Sequence, residues 1–410
     1  MASFIETRGF IKACILLGIS IYLATMNGVD CGRVGYPRRS LLDEPMVFDV
    51  MQYGAKADGL KDDAMAFIQA WRAACEATVP AKVVINGNFM VGEVVFTGPC
   101  INQQPITIEI LGNVSANSDP SSYSHMAWIM VQHAQNVEVT GGGTLDAHGQ
   151  DFWGYGSDDS PLPVSFVFQA VSNCKLYNLN FVNSMGFHTK VTDSHDVSVY
   201  NLRITAPEAS PNTDGIHLSN ATNVNITDLV IGTGDDCVSI GHGSVNVLVS
   251  GITCGPGHGI SIGSLGKRED EMSVQGITVK NCTLTGTTNG ARIKTFHASP
   301  RLNASGIIYQ DIVMNTVKNP IIIDQHYSSK KNPEQSSVKI SDVHFINIKG
   351  TTISPAPVNL NCSTTFPCEN VELTDIDFAP FGSIVLKSEC ASLQLLQLNG
   401  IQNPPGPSCA

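Results

Sequence analysis

Asp214, Asp236 and His258 follow one another at intervals of 22 and 22 residues, each just ahead of a short β-branched run: Ile216-His217-Leu218, Val238-Ser239-Ile240 and Ile260-Ser261-Ile262. In a coil whose parallel strands lie about 4.8 Å apart, residues one turn apart share a face and become neighbours. Two carboxylates and an imidazole in one column make an acid/base site. Asp235, one position off the period, adds a third carboxylate. Such crowding pushes carboxyl pKa values apart, so that one group keeps its proton as a general acid while another is ionised as a base, the division that glycoside hydrolysis requires. Further along, the alternation in Arg292-Ile293-Lys294 sends two cations to one face, where they can take a substrate carboxylate.

Each piece alone has a plainer reading. An Asp before a strand is ordinarily a turn residue or cap, and Arg-Ile-Lys a solvated strand face. His258 between two glycines can be a loop residue, as in the second tripeptide Gly241-His242-Gly243. The common register favours a site. An acidic cluster holding Ca²⁺ stays open as an alternative. Two further motifs are set aside. Gly259-Ile260-Ser261-Ile262-Gly263 matches a serine-hydrolase pattern, but Ser261 sits in an alternating strand, where it can face inward, and not on a strand-to-helix elbow. Gly141-Gly142-Gly143 lacks the following helix of a nucleotide loop.

Strands must hold these residues. A polar residue followed by a short alternating apolar run recurs at Val137, Cys174, Val197, Val224, Val247, Val274, Ile307, Val338 and Val371. These starts are roughly 23 to 37 residues apart, a solenoid spacing with room for two or three strands per repeat. A right-handed parallel β-helix is therefore expected, ahead of a sandwich or propeller. One helix is expected where Asp62 or Asp63 caps a segment with Phe67, Ile68, Trp71 and Cys75 on one face, ending before Pro80 and plugging the first coil. Residues 45–410 read as one catalytic domain, with 31–44 its leader and a tail at Pro404, Pro405 and Pro407 that Cys409 can staple.

The chain has 410 residues, 42% hydrophobic and 15% charged, which describes a globular protein with a real core. A net charge of −12 and a pI near 5.3 argue against nucleic acid or an anionic membrane as a partner. Any anionic ligand must be caught locally. Arg8 and Lys12 ahead of the apolar stretch Ala13 to Ala24 read as a secretory signal, cleaved between Ala24 and Asp30. In that compartment Cys75 with Cys100, Cys237 with Cys254, Cys362 with Cys368 and Cys390 with Cys409 are candidate disulfides by spacing. Cys174 and Cys282 read as buried thiols, Cys14 leaves with the signal, and Cys31 has no evident partner. The absence of a CxxC pair disfavours zinc, and six Asn-x-Ser/Thr sequons suit a secreted glycoprotein.

Taken in order, Asn212-Thr213-Asp214, Gly234-Asp235-Asp236-Cys237, Gly257-His258-Gly259 and Arg292-Ile293-Lys294 closely resemble the polygalacturonases of glycoside hydrolase family 28. The resemblance runs from Phe48-Asp49-Val50 through Trp71-Arg72-Ala73-Ala74-Cys75 to Asn319-Pro320-Ile321 and the C-terminal cysteines, and its wording is that of the plant enzymes. It implies hydrolysis of α-1,4-linked galacturonan in pectin with inversion, without a cofactor or metal, by a secreted monomer acting in the cell wall. By the same resemblance Asp235 is the general acid, Asp214 and Asp236 position and deprotonate water, and His258 tunes the acid or contacts the sugar. Arg292 and Lys294 hold the galacturonate carboxylate, Tyr327 lines the cleft, and Asn212 supports the site by hydrogen bonding. Ser210 to Gly215 and Cys254 to Gly259 are closer to the exopolygalacturonase branch than to endo-enzymes. An endo-acting enzyme, a Ca²⁺-dependent pectate lyase and a non-catalytic, allergen-like wall-binding protein are the rivals.

Overall fold

The computed structural model describes residues 44–409 apart from 157–160, 298 and 329–334. The expected signal, Cys14 and Cys31 lie outside the described residues. Corners explain the repeat. Asn136, Asn173, Asp196, Asn223 and Asn246 all have φ between 51° and 58°, and Gly276 and Gly306 follow at 69° and 63°. Asn and Asp tolerate this left-handed conformation and Gly adopts it without penalty. The corner side chains also bond along the stack: Asn173 to Asn136 at 2.7 Å, Asn223 to Asp196 at 3.0 Å, Asn246 to Asn223 at 2.6 Å. The polar residue ahead of each apolar run is thus the bend between two strands.

Beyond each corner the alternating runs stack in parallel. One inward column reads Val139, Leu176, Val199, Ile226, Val249, Val279, Tyr309, Phe345, Leu373. All nine are buried in one continuous core. The architecture is an all-β parallel β-helix. The run at Val338 differs from the expected pattern, because it precedes its corner at Asp342 and the residue in column is Phe345.

The helix spans Ala64–Glu76 and buries Phe67, Ala70, Trp71, Ala74 and Cys75, with Phe67 edge-on to Phe89 and Trp71 against Phe96. Asp62 Oδ1 accepts from the Ala64 amide at 2.9 Å, while Asp63, although at the cap position, turns its carboxylate to the amides of Lys56 and Ala57. The four disulfides form as paired by spacing, and Cys174 and Cys282 are buried free thiols.

Candidate active site

The strands Ile216–Thr227, Val238–Ile240 and Ile260–Leu265 pair with Ile216 beside Val238 and Val238 beside Ile260. Asp214, Asp236 and His258, each two residues upstream, therefore sit one above another at the mouth of three successive coils. Gly257 and Gly259, with φ of 148° and 89°, flank His258. A Cβ on Gly259 would lie 2.1 Å from the Asn289 carbonyl oxygen, so only glycine allows the backbone to pass here. Asp235 breaks the column. His258 Nδ1 is 2.9 Å from its Oδ1, and the His258 amide donates to its carbonyl at 2.8 Å. Oxygens of Asp235 and Asp236 and a nitrogen of His258 all fall within 4.8 Å of one another.

Arg292 and Lys294 do not open their strand as the other motifs do. They lie inside Asn289–Phe296, with Arg292 level with Ser261, three positions beyond His258. Alternation turns both outward, and both reach Asp236: Arg292 Nη2 to Oδ1 at 2.6 Å, Lys294 Nζ to Oδ2 at 2.8 Å. All three groups are buried. Burial by itself would raise the Asp236 pKa, but the two cations and the hydrogen bonds from Lys294 and Ser261 overcome it and hold the carboxylate below its ordinary value. A metal fits this donor set poorly, because a cation on Asp236 would face two fixed positive charges.

Asp214 is the opposite case. It is buried, and burial first, then Asp235 and Asp236, hold its carboxyl well above the ordinary value of 3.8. Ser239 Oγ donates to its Oδ2 at 2.6 Å and accepts from His217 Nδ1 at 2.8 Å. Burial and then Lys190 and Lys294 depress the His217 pKa to about 3, so the ring is neutral. A carboxyl whose folded pKa is raised costs stability as pH climbs from its unfolded value towards the folded one. Asp214→Asn should therefore raise the neutral-pH unfolding midpoint, worth about 0.5–2 kcal/mol, while lowering activity. The gain should vanish in acid below the ordinary carboxyl pKa; thermal melts at several pH values check it.

The structure corrects some residue expectations. Asn212 is exposed in a left-handed turn (φ 50°), and among the described residues its side chain makes no hydrogen bond. The support falls instead to Thr213, whose Oγ1 accepts from the Gly234 amide at 3.1 Å and bonds Ser210 Oγ at 2.6 Å. Ser261 does not face the core: its Oγ donates to Asp236 Oδ1 at 2.8 Å and accepts from Arg292 Nε at 2.8 Å. Tyr327 is half-buried, with Lys294 Nζ 5.2 Å from its ring centre.

Two residues of the site, His217 and Ser239, are not among those expected from the sequence. They repeat at the same interval as the aspartates, since 217, 239 and 261 are also 22 apart. His188 holds the turn from beneath. It is fully buried, and burial lowers its pKa to about 4; its Nε2 accepts from the Ser184 amide at 3.3 Å, which leaves Nδ1 to donate to the Thr213 and Asp214 carbonyls at 3.2 and 3.3 Å.

The polar face has an end. On the outward face the residues level with one another run Val95, Met130, Val167, Lys190, His217, Ser239, Ser261, Arg292. Met130 and Val167 are buried in a small apolar cluster of their own, with Val95 and Phe187 against it. One coil beyond Lys190 the polar face thus gives way to outward apolar side chains that are themselves covered.

Residues 75–395 match the family described as glycosyl hydrolases family 28. A polygalacturonase of Gossypium barbadense is 41% identical over 372 residues, 88% of this chain and 90% of the relative. An exopolygalacturonase of Arabidopsis thaliana is 41% identical over 374 residues, 90% of this chain and 87% of the relative. Among solved structures, the exopolygalacturonase of Thermotoga maritima superposes with a TM-score of 0.73 at 18% identity, covering 87% of this chain and 92% of its own. The Aspergillus tubingensis endo-xylogalacturonan hydrolase does so with 0.74 at 24% identity, covering 89% and 98%.

Proposed function

Because the chain belongs to family 28 of the glycosyl hydrolases, we propose that it hydrolyses α-1,4 bonds between galacturonic acid residues of pectin outside the cell, with inversion and from chain ends. The observation that carries the chemistry is an Asp236 held ionised by Arg292 and Lys294 within 4.8 Å of Asp235. Asp235, beside His258, gives its proton to the glycosidic oxygen as that bond breaks. Water adds its oxygen to the anomeric carbon and its proton passes to Asp236, with Asp214 orienting it. Solvent then returns a proton to Asp235 and removes one from Asp236. Arg292 and Lys294 take the uronate carboxylate beside the scissile bond, and Tyr327 flanks them.

Two observations support end-on action: the covered apolar residues Val167 and Met130 where the polar face ends, and relatives described as exopolygalacturonases from Arabidopsis thaliana, Platanus acerifolia and Zea mays. Inversion rests on the family. An inverting pair is separated by roughly 6.5–9.5 Å between carboxyl groups, and the nearest oxygens of Asp235 and Asp236 are closer, within 4.8 Å.

A time course on polygalacturonate, followed by viscometry and by NMR of the first-formed anomer, tests the whole reading. Monomer should accumulate from the outset as the β anomer, with little early fall in viscosity. A mixture of oligomers would overturn the exo mode, and a first-formed α anomer would overturn inversion. A chelator-sensitive, unsaturated product absorbing in the ultraviolet would replace the hydrolase with a Ca²⁺-dependent lyase.

A further inference from the structure

Lys190 lies in the strand Thr189–Thr205, where Thr189 and Val191 point inward and Lys190 outward. It is one coil from His217, on the side of the aspartates away from Arg292, and one coil from the covered apolar residue Val167. It is half-buried, yet among the described residues its ammonium has no hydrogen-bond or ion-pair partner. Asp193, the acid that acts on it most, already accepts from Asn220 Nδ2 at 2.7 Å. Burial holds the proton affinity of Lys190 below the usual lysine range, Asp193 opposing this and Arg268 adding to it. An ammonium drawn partly out of water, with Asp193 acting on it but not in contact, carries a cost that an arriving anion would relieve.

The surroundings restrict what that anion can belong to. Phe187 stacks on His217 with ring centres 4.7 Å apart and also packs against the apolar cluster. Gly186 brings the backbone close beneath this corner: its amide donates to the Pro163 carbonyl at 2.9 Å, and a Cβ there would lie 2.7 Å from the Leu162 oxygen. Between the Asp214 level and that cluster there remain about two coil spacings, each about 4.8 Å. That is room for a short chain end, one ring or two, before the covered apolar residues begin.

We infer that Lys190 binds the carboxylate of the terminal uronic acid ring, with Phe187 and His217 beside the ring and Val167 and Met130 as the stop. It is a specificity-determining residue that matches the Arg292/Lys294 pair across the scissile bond. This rests on the end-on hydrolase reading above. Lys190 would make the enzyme demand a free acid on the ring it releases, independently of the ring that stays behind.

The test compares trigalacturonate with the same trimer methyl-esterified only on the ring to be released, using wild type, Lys190→Gln and Lys190→Arg. Wild type should favour the free acid by roughly 10–100-fold in kcat/KM, the range of a charge-assisted hydrogen bond. Most of this should lie in KM. Lys190→Gln should lose that preference to within a few-fold, and Lys190→Arg should restore it. A ratio of two substrates on one protein is insensitive to partial misfolding. If Lys190→Gln keeps the wild-type preference, Lys190 is only a surface cation and the inference is overturned. A wild type inactive on the free-acid trimer would overturn the hydrolase reading, and the Lys190 assignment with it.

Discussion

Asp235→Asn should fold as the wild type does and release reducing ends from polygalacturonate about 10²–10⁴-fold more slowly, the contribution of a positioned general acid. The substitution is nearly isosteric. An amide oxygen can still accept from the Asp236 amide, as Oδ1 does now at 2.8 Å, and can still face His258 Nδ1. What asparagine lacks is a proton to give the glycosidic oxygen. A reducing-sugar assay run alongside a thermal melt separates the two quantities. An unchanged rate would sink the assignment of the acid, and a collapsed melt would show that the pair with His258 is structural.

Asp236→Ala should have the largest effect on stability. Arg292 and Lys294 are both buried and both lean on this one carboxylate, so its removal leaves two positive charges without a counter-ion. Breaking a buried pair in this way costs about 3–5 kcal/mol. The pH dependence has a definite sign. The folded pKa of Asp236 lies below the ordinary 3.8, so its stabilising contribution is complete above that value and is lost as pH falls through the folded one. The gap in unfolding midpoint between wild type and Asp236→Ala should be widest near neutrality and shrink in acid. Adding Lys294→Met should recover part of the loss. Equal midpoints at neutral pH would mean that solvent reaches the two cations more freely than their burial indicates.

Much of the fold and the site is legible in the amino-acid sequence because a parallel solenoid writes its geometry into intervals. Asp214, Asp236 and His258 at one spacing become one column, and the polar residues ahead of the apolar runs become left-handed corners. Directions of side chains are less legible. Ser261 carries the same letter whether it faces the core or the cleft, and only the parity of Ile260 and Ile262 inside sends it out to Asp236. Asn212 lies beside the site in sequence, but a left-handed turn points its backbone elsewhere and leaves the hydrogen bonding to Thr213. The cations illustrate the same limit. Alternation in Arg292-Ile293-Lys294 gives their common face, but their attachment to Asp236, more than fifty residues earlier, depends on how far two long side chains reach back across the coils.

That attachment affects selectivity. If Arg292 and Lys294 take the uronate carboxylate as proposed, Asp236 already holds that place in the free protein and acts as an internal competitor. Small anions in the surroundings must outcompete a carboxylate tethered at 2.6 and 2.8 Å, and a loose ion seldom can. A pectin chain held at several rings can displace it, and in doing so loosens the grip that keeps Asp236 a weak base. Release of the base would then be conditional on arrival of the right acid, so that the general base becomes competent only when a substrate is in place.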